Sequence, residues 1–152
     1  MRVIRSATVD DFEVCHVLYK ALVGEVDVPE GPSGRQRFAE VITHPGTTVF
    51  VADVDGVAVS MATLHLLPNM TYGGRPYAMV ENVVTLKSHR GQGTARAVMN
   101  HIADVVWAAD GYKIMLLTGR TYGARGFYEA LGYTAEDKFG MVLRRVPSRK
   151  PS

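Results

Sequence analysis

Cysteine is almost absent from this chain: Cys15 is the single one in 152 residues. A lone thiol excludes an intramolecular disulfide framework and fits a reducing compartment. It falls among Phe12, Leu18 and Leu22 at helical spacing, so it reads as a buried core residue rather than a nucleophile. No run approaches the ~20 apolar residues of a membrane span, and the first residues lack a basic-then-apolar leader pattern, so a cytoplasmic protein with no membrane partner is expected. The five histidines (His16, His44, His65, His89, His101) are scattered, without a His-Glu-x-x-His pair, and no metal is expected. An excess of charge of one sign is lacking too: 17 Lys and Arg face 15 Asp and Glu, for a formal net charge of +2. The basic residues Arg144, Arg145, Arg149 and Lys150 read as a solvated terminus, and no nucleic-acid partner is expected.

What is present suffices for an ordinary core. A chain of this length buries about 68–70% of the surface its unfolded form exposes. Val3-Ile4 suggests a short first strand. Thr8, with Asp11 three residues on, caps a helix whose apolar face is Phe12, Cys15, Leu18, Tyr19 and Leu22 and which Gly24 ends. After a loop from Gly24 to Gly34, Ser33 and Gln36 cap a second helix reaching about Thr43. The pattern then turns to β: Thr47 to Ala52, a turn at Asp53-Val-Asp-Gly56, a return strand from Val57 to Leu67, and, past Tyr72, Gly73, Gly74 and Pro76, a strand from Ala78 to Leu86 that is apolar on both faces except for Glu81 and Asn82. A helix from about Gln92 to Ala108 carries a stripe of Ala95, Val98, Met99, Ile102 and Val106. Gly111 to Leu117 continues as a strand parallel to Ala78–Leu86, and Gly140 to Val146 supplies a last strand. Residues 1–147 read as one domain and 148–152 as a flexible tail.

The richest stretch is Val83-Val-Thr-Leu-Lys-Ser-His-Arg-Gly-Gln-Gly-Thr-Ala95, where a β-branched run ends in a basic, glycine-rich turn and opens a helix. Arg90 supplies charge, and Gly91 and Gly93 let the main chain curl close to a ligand. The following helix points unpaired N–H groups and its positive dipole end at the same place. A phosphorylated cofactor suits such a turn. The spacing lacks the Gly-x-x-x-x-Gly-Lys-Ser/Thr of a P-loop, and a dinucleotide fingerprint would need a third glycine where Arg96 stands. The glycines could also do no more than build a tight turn.

Arg90, Gly93 and Ala95 meet the pattern Arg/Gln-x-x-Gly-x-Gly/Ala, Gly111-Tyr-Lys-Ile-Met-Leu-Leu117 follows as a strand, and Ala124-Arg-Gly-Phe127-Tyr128-Glu-Ala-Leu131-Gly132-Tyr133 follows as a helix. In this order and spacing, residues 78–135 resemble the GCN5-related N-acetyltransferases. The resemblance implies an α/β fold with a mixed, mostly antiparallel sheet and helices on both faces, acetyl-CoA as cosubstrate, and acetyl transfer to a primary amine of a small molecule in a ternary complex. It implies that Arg90, Gly91, Gln92, Gly93, Thr94 and Ala95 hold the pyrophosphate. Backbone N–H groups of Val83, Val84 and Thr85, splayed at a bulge, would face the thioester carbonyl and the pantetheine.

Acyl transfer to an amine also needs a base and an acid. Glu81, a carboxylate in an apolar strand where desolvation would raise its pKa, stands where the family places its base; pairing with Arg75 at an exposed strand end is its other reading. Tyr128 stands where the family places a phenol beside the sulfur of coenzyme A, although the spacing of Phe127, Tyr128 and Leu131 also suits packing. Met79–Thr85 and the Tyr112-Lys-Ile strand opening are similar to glucosamine-phosphate N-acetyltransferases, which implies an amino sugar phosphate as one acceptor class and a homodimer. Leu117-Thr118-Gly119, where those enzymes carry an acidic residue, and Ala124, where they carry an asparagine, depart from that likeness. The acceptor is expected between the Gly24–Gly34 loop, the Pro68–Pro76 loop and the last two strands. A module that senses acyl-CoA without turnover is the alternative.

Overall fold

The computed structural model describes residues 1–120 and 123–148. The chain divides into two compact units, Met1–Met115 and Leu116–Ser152.

The first unit is a five-stranded sheet in the order β1 (Arg2–Ser6), β2 (Thr47–Val54), β3 (Val57–Leu67), β4 (Tyr77–Thr85), β5 (Ile114–Met115). The first three pairings are antiparallel and the last is parallel, as the sequence pattern implies. Strand alternation divides the side chains between two faces. Val49 and Val51 on β2, with Met61 on β3 and Val84 on β4, form one buried cluster with Phe12, Cys15 and Leu18 of α1 (Phe12–Val23) and Phe38 of α2 (Gly31–Thr43). A short turn, α3 (Thr71–Gly74), left-handed at Tyr72 and Gly73, precedes β4. The opposite face of the sheet is covered by α4 (Thr94–Ala108), whose buried stripe is Val98, Met99, Ile102 and Val106; His101 of that helix meets the edge of Phe50, with ring centroids 5.0 Å apart. Burying each such aliphatic side chain stabilises the fold by roughly 1.5–3 kcal/mol.

Local chemistry sets the element ends. Asp55 and Gly56 both take positive φ (52° and 89°), as a two-residue hairpin turn between right-twisted strands demands, and the Gly56 N–H donates to Asp53 Oδ1 at 2.7 Å. α1 stops at Gly24, whose N–H donates to the Lys20 carbonyl at 2.9 Å. α2 begins at Gly31, ahead of the expected Ser33 cap, because Pro32 suits the first turn of a helix. Gly34 lies in α2 where a Cβ would meet the Pro29 carbonyl oxygen at 2.5 Å, so the loop before the helix packs directly on its backbone.

The expected Thr8–Asp11 capping box is present, and it opens a 3-10 turn (Val9–Asp11) that runs into α1. Asp11 is 9% exposed. Its carboxylate accepts two hydrogen bonds from the Arg5 guanidinium, at 2.8 and 2.9 Å, and one from the Thr8 N–H at 2.7 Å. Arg5 in turn reaches Asp53 at 3.2 Å, so one guanidinium ties β1 to β2 and to the start of α1. The Arg5 bonds, more than the one from Thr8, hold the Asp11 carboxyl below the usual carboxylate range, against an opposing effect of burial.

Strand β4 is irregular in its pairing with β3. Thr63 pairs with Glu81 and Met61 with Val84, so Asn82 and Val83 together oppose Ala62: a β-bulge. Asn82 sits at φ 53°, in the left-handed region that Asn tolerates better than most residues. On its other edge β4 pairs with β5 only at Ala78 and Met79, so among the described residues the sheet opens beyond Met79.

In the second unit, α5 (Arg125–Ala130) is shorter than the expected Ala124–Tyr133 helix. Gly132 takes φ 97°, and the Tyr133 N–H returns to the Tyr128 carbonyl at 3.1 Å, which closes the helix in a Schellman-type end. Two expected strands are corrected. Gly111–Leu117 supplies only Ile114–Met115, and Gly140–Val146 forms no strand. Apolar alternation gives a segment the propensity for β, but a strand exists only where another edge completes its hydrogen bonds; Phe139, Met141 and Leu143 are instead almost fully exposed, at 95%, 91% and 102%. Of the expected tail, residues 148–152, only Ser148 lies among the described residues.

Two substitutions test this account. Asp11→Asn should lower stability in urea denaturation by about 1–3 kcal/mol at pH 7. A carboxylate with a depressed folded pKa stabilises above its unfolded value of about 3.9 and loses that contribution as pH falls through the folded one, so the gap should shrink toward about pH 3; an equal gap at both pH values contradicts the assignment. Asn82→Gly should leave stability within about 0.5 kcal/mol, whereas Asn82→Val should cost about 1–2 kcal/mol because a β-branched residue resists positive φ. Equal thermal midpoints for the two variants would argue against the bulge.

Candidate active site

The turn between β4 and α4 is built to present main-chain N–H groups. A 3-10 turn (Lys87–His89) leaves β4, Gly91 and Gly93 take φ 74° and 76°, and Gly93 is the left-handed N-cap of α4, which is why the helix starts at Thr94 rather than at the expected Gln92. The first intrahelical bond runs from the Ala97 N–H to the Gly93 carbonyl at 3.0 Å. Among the described residues, no amide of residues 91–96 donates to a protein acceptor. These free donors, at the positive end of a 15-residue helix, suit an anion.

Side chains brace the turn from beneath. Arg90 Nε donates to the Thr85 carbonyl at 3.2 Å and Gln92 Nε2 to the Ser88 carbonyl at 3.4 Å. Arg2, on the far edge strand, donates from Nη1 to the Gln92 carbonyl at 3.2 Å and would lie 3.9 Å from a Cβ on Gly93. It is a second cation at the turn, and no local pattern around Arg2 announces it. Thr94, inside the helix start, is 3% exposed.

The same turn is anchored to the bulged strand. Ser60 of β3 donates to the Val84 carbonyl at 3.0 Å and shares a hydrogen bond with Thr85 Oγ1 at 2.8 Å, and the Leu86 N–H donates to the Val59 carbonyl at 2.9 Å. Since Leu86 and Val84 address β3, alternation turns the N–H groups of Thr85 and Val83 to the opposite edge, where β4 has no ladder partner. Without the extra residue at Asn82 the alternation carried up from Ala78, whose N–H addresses Lys113 on the β5 side, would place Val84 there instead. The bulge thus selects which amides face the opening.

Glu81 pairs across the ladder with Thr63, and opposed residues share a face, so it stands on the α1–α2 side next to the bulge. The sequence pattern implies a desolvated carboxylate; Glu81 is exposed, because β4 lacks a neighbouring strand at this level. Arg75, the other expected partner, pairs with Asp110 at 3.4 Å. Cys15 is fully buried, and burial pushes its thiol up to about 12, which bears out its reading as a core residue.

Tyr128 belongs to the second unit, on α5. It packs against Phe127, with centroids 5.0 Å apart, and against the edge of Tyr133 at 5.9 Å. Burial raises its phenol above the ordinary value, and burial followed by the proximity of Tyr128 pushes that of Tyr133 up to about 12. Tyr128 therefore keeps its proton across the neutral range. Arg125 holds this unit's helix through Glu129 at 3.2 Å and Glu136 at 2.8 Å.

A cavity of about 350 Å³ opens on the α1–α2 face of the first unit, reaching from the Asp27–Pro29 loop to Thr63 and Asn82. Of the two loops expected to border the acceptor, Gly24–Gly34 contributes Asp27, Val28 and Pro29 to the lining and Pro68–Pro76 contributes no residue. Among the described residues there is no cluster of three or more His, Cys, Asp or Glu that could hold a metal, and no helix long and apolar enough to cross a membrane.

Comparison with known proteins agrees with this geometry. The chain is 32% identical over 92 residues to the glucosamine 6-phosphate N-acetyltransferase of Trypanosoma brucei brucei, a match spanning 60% of this chain and 61% of that protein. It superposes on the structure of a proposed acetyltransferase from Agrobacterium tumefaciens str. C58 with a TM-score of 0.89 and 38% identity, covering 94% of this chain and 99% of the other. The glucosamine-6-phosphate N-acetyltransferase of Arabidopsis thaliana shares the fold, with a TM-score of 0.82 at 17% identity over 96% of this chain and 99% of the other. Residues 12–133 match the model of the acetyltransferase (GNAT) family, which covers the bulged strand, the glycine turn and the Phe-Tyr helix alike. The chain belongs to that family.

Proposed function

We propose that this enzyme transfers the acetyl group of acetyl-CoA to the primary amine of a small molecule by direct attack, with residues 1–147 working as one catalytic domain. The observation that carries the reading is the bulge at Asn82 and Val83, set directly before a turn of free amides. The diphosphate rests on the N–H groups of residues 91–96, with Arg90 and Arg2 adding positive charge. The pantetheine runs along the open edge of β4, and the N–H groups of Val83 and Thr85, with the strand held in place through Val84, polarise the thioester carbonyl.

Glu81 takes the proton lost by the attacking ammonium, directly or through a water, for which its exposure leaves room. The amine nitrogen bonds to the carbonyl carbon and the carbon–sulfur bond breaks. Tyr128 gives its proton to the departing thiolate and regains one from solvent. Its raised pKa keeps the donor loaded but makes the transfer more uphill. The trypanosomal relative is named for an amino sugar phosphate acceptor, and the acceptor class of this chain rests on its own cavity. A homodimer is supported by the exposed apolar residues Phe139, Met141 and Leu143, which a second copy would cover.

Free-thiol release with an amine panel tests the chemistry. Tyr128→Phe and Glu81→Gln should each lower kcat by about 100-fold, while calorimetry gives a Kd for acetyl-CoA within about twofold of the wild type, a span worth only ~0.4 kcal/mol. Thiol release undiminished in both variants removes these two roles, and binding of acetyl-CoA with no release for any amine would instead favour a sensor. Light scattering should give twice the chain mass, falling toward the monomer value for Met141→Asp with Leu143→Asp; a wild-type monomer rejects the dimer.

A further inference from the structure

The cavity beside the bulge indicates the kind of amine this enzyme takes. Its walls are Phe12 and Tyr19 from α1, Val28 from the loop, and Phe38 and Val41 from α2. Phe12 and Phe38 contact each other, with centroids 5.8 Å apart, so the two helices present a continuous aromatic wall. Phe12 and Phe38 are each 4% exposed, and the wall is fixed in place by the same core that joins α1 and α2 to the sheet.

Toward the bulge the lining includes Asn82 and Thr63, the cross-strand partner of Glu81. Thr63 is 3% exposed, and its hydroxyl makes no hydrogen bond of ordinary geometry in the protein. The Tyr19 phenol lies near it without reaching that geometry, and burial is what pushes Tyr19 up to about 12. A buried hydroxyl left unsatisfied is costly unless a ligand or water completes it. The other polar side chains of the lining are Asp27, Arg37 and His65; Arg37 is already engaged with Glu40 at 3.5 Å, and His65 with the Thr47 hydroxyl at 3.0 Å.

An amino sugar phosphate would need a polar partner for each ring hydroxyl and a group of cations for its phosphate, since hydroxyls against bare aromatic walls lose their water without replacement. Here one guanidinium, with a carboxylate beside it, is the only arginine or lysine on the cavity wall among the described residues. Resting on the acetyl transfer proposed above, we infer that the acceptor is a primary amine with a compact apolar body, arylalkyl or branched alkyl. The body lies against Phe12, Phe38 and Val41, and the nitrogen points to Thr63, Asn82 and Glu81. The volume of about 350 Å³ is at the small end of ligand pockets and suits a compact amine.

The test measures thiol release from acetyl-CoA with 2-phenylethylamine, 3-methylbutylamine and glucosamine 6-phosphate. The wild type should favour the two apolar amines in kcat/KM by at least about tenfold, the lower end of what hydrophobic pockets achieve. Val28→Asp, on the partly exposed loop, and Phe38→Leu, which keeps the core filled, should each reduce kcat/KM for 2-phenylethylamine about tenfold or more, mostly through KM. Their acetyl-CoA affinity by calorimetry should be unchanged. Preference for glucosamine 6-phosphate, turnover insensitive to both variants, or binding of acetyl-CoA with neither apolar amine acetylated would each overturn the inference. Absence of acetyl-CoA binding would instead reject the transfer reading on which it rests.

Discussion

Strand β4 cannot be satisfied on both edges, and the architecture of the site follows from that constraint. One edge is committed to β3, while the other meets β5 for two residues and is then left open among the described residues. In an ordinary sheet such an edge is a liability, because unpaired N–H and C=O groups invite another strand. Here the extra residue at Asn82 changes which amides face the gap, and the Ser60 hydroxyl fixes the strand just beyond it. The opening leaves unpaired amides of the kind that the proposed pantetheine path would use.

The proposed diphosphate site is made chiefly of backbone, a design that does not depend on a large excess of positive charge in a chain of net charge +2. Arg90 and Arg2 donate hydrogen bonds to carbonyls of the turn, so their contribution is to hold its shape as well as to add charge. The two sheet faces have separate tasks. α4 supplies the dipole and packs on one face, while α1 and α2 build the aromatic cavity on the other, and β4 is the element common to both. In the proposed reaction, the glycine turn and the cavity lie at different parts of one strand, so the cosubstrate and the amine would not compete for the same surface.

Much of this was legible from residues near one another in the chain. The glycine turn, the helix after it, the hairpin at Asp55-Gly56 and the cap at Thr8 depend on neighbours within a few positions, and all stand where the pattern put them, with helix starts moved by about two residues. Features that depend on distant partners were not legible. The exposure of Glu81 depends on where β5 ends, the short β5 and the missing strand at Gly140–Val146 depend on whether an edge is on offer, and Arg2 meets the turn only because β1 packs at the far side of the sheet. The cavity is assembled from separated segments, and its aromatic lining shows in the sequence only as the inward stripe of two ordinary helices.

Cys15 lies at the centre of the α1 cluster with none of its surface exposed, and burial keeps its sulfur protonated far into the alkaline range. The folded enzyme is consequently silent toward disulfide dyes and alkylating agents at neutral pH. Any thiol that such a reagent counts during turnover comes from the spent cosubstrate, and a slow rise in protein labelling reports the chain unfolding instead.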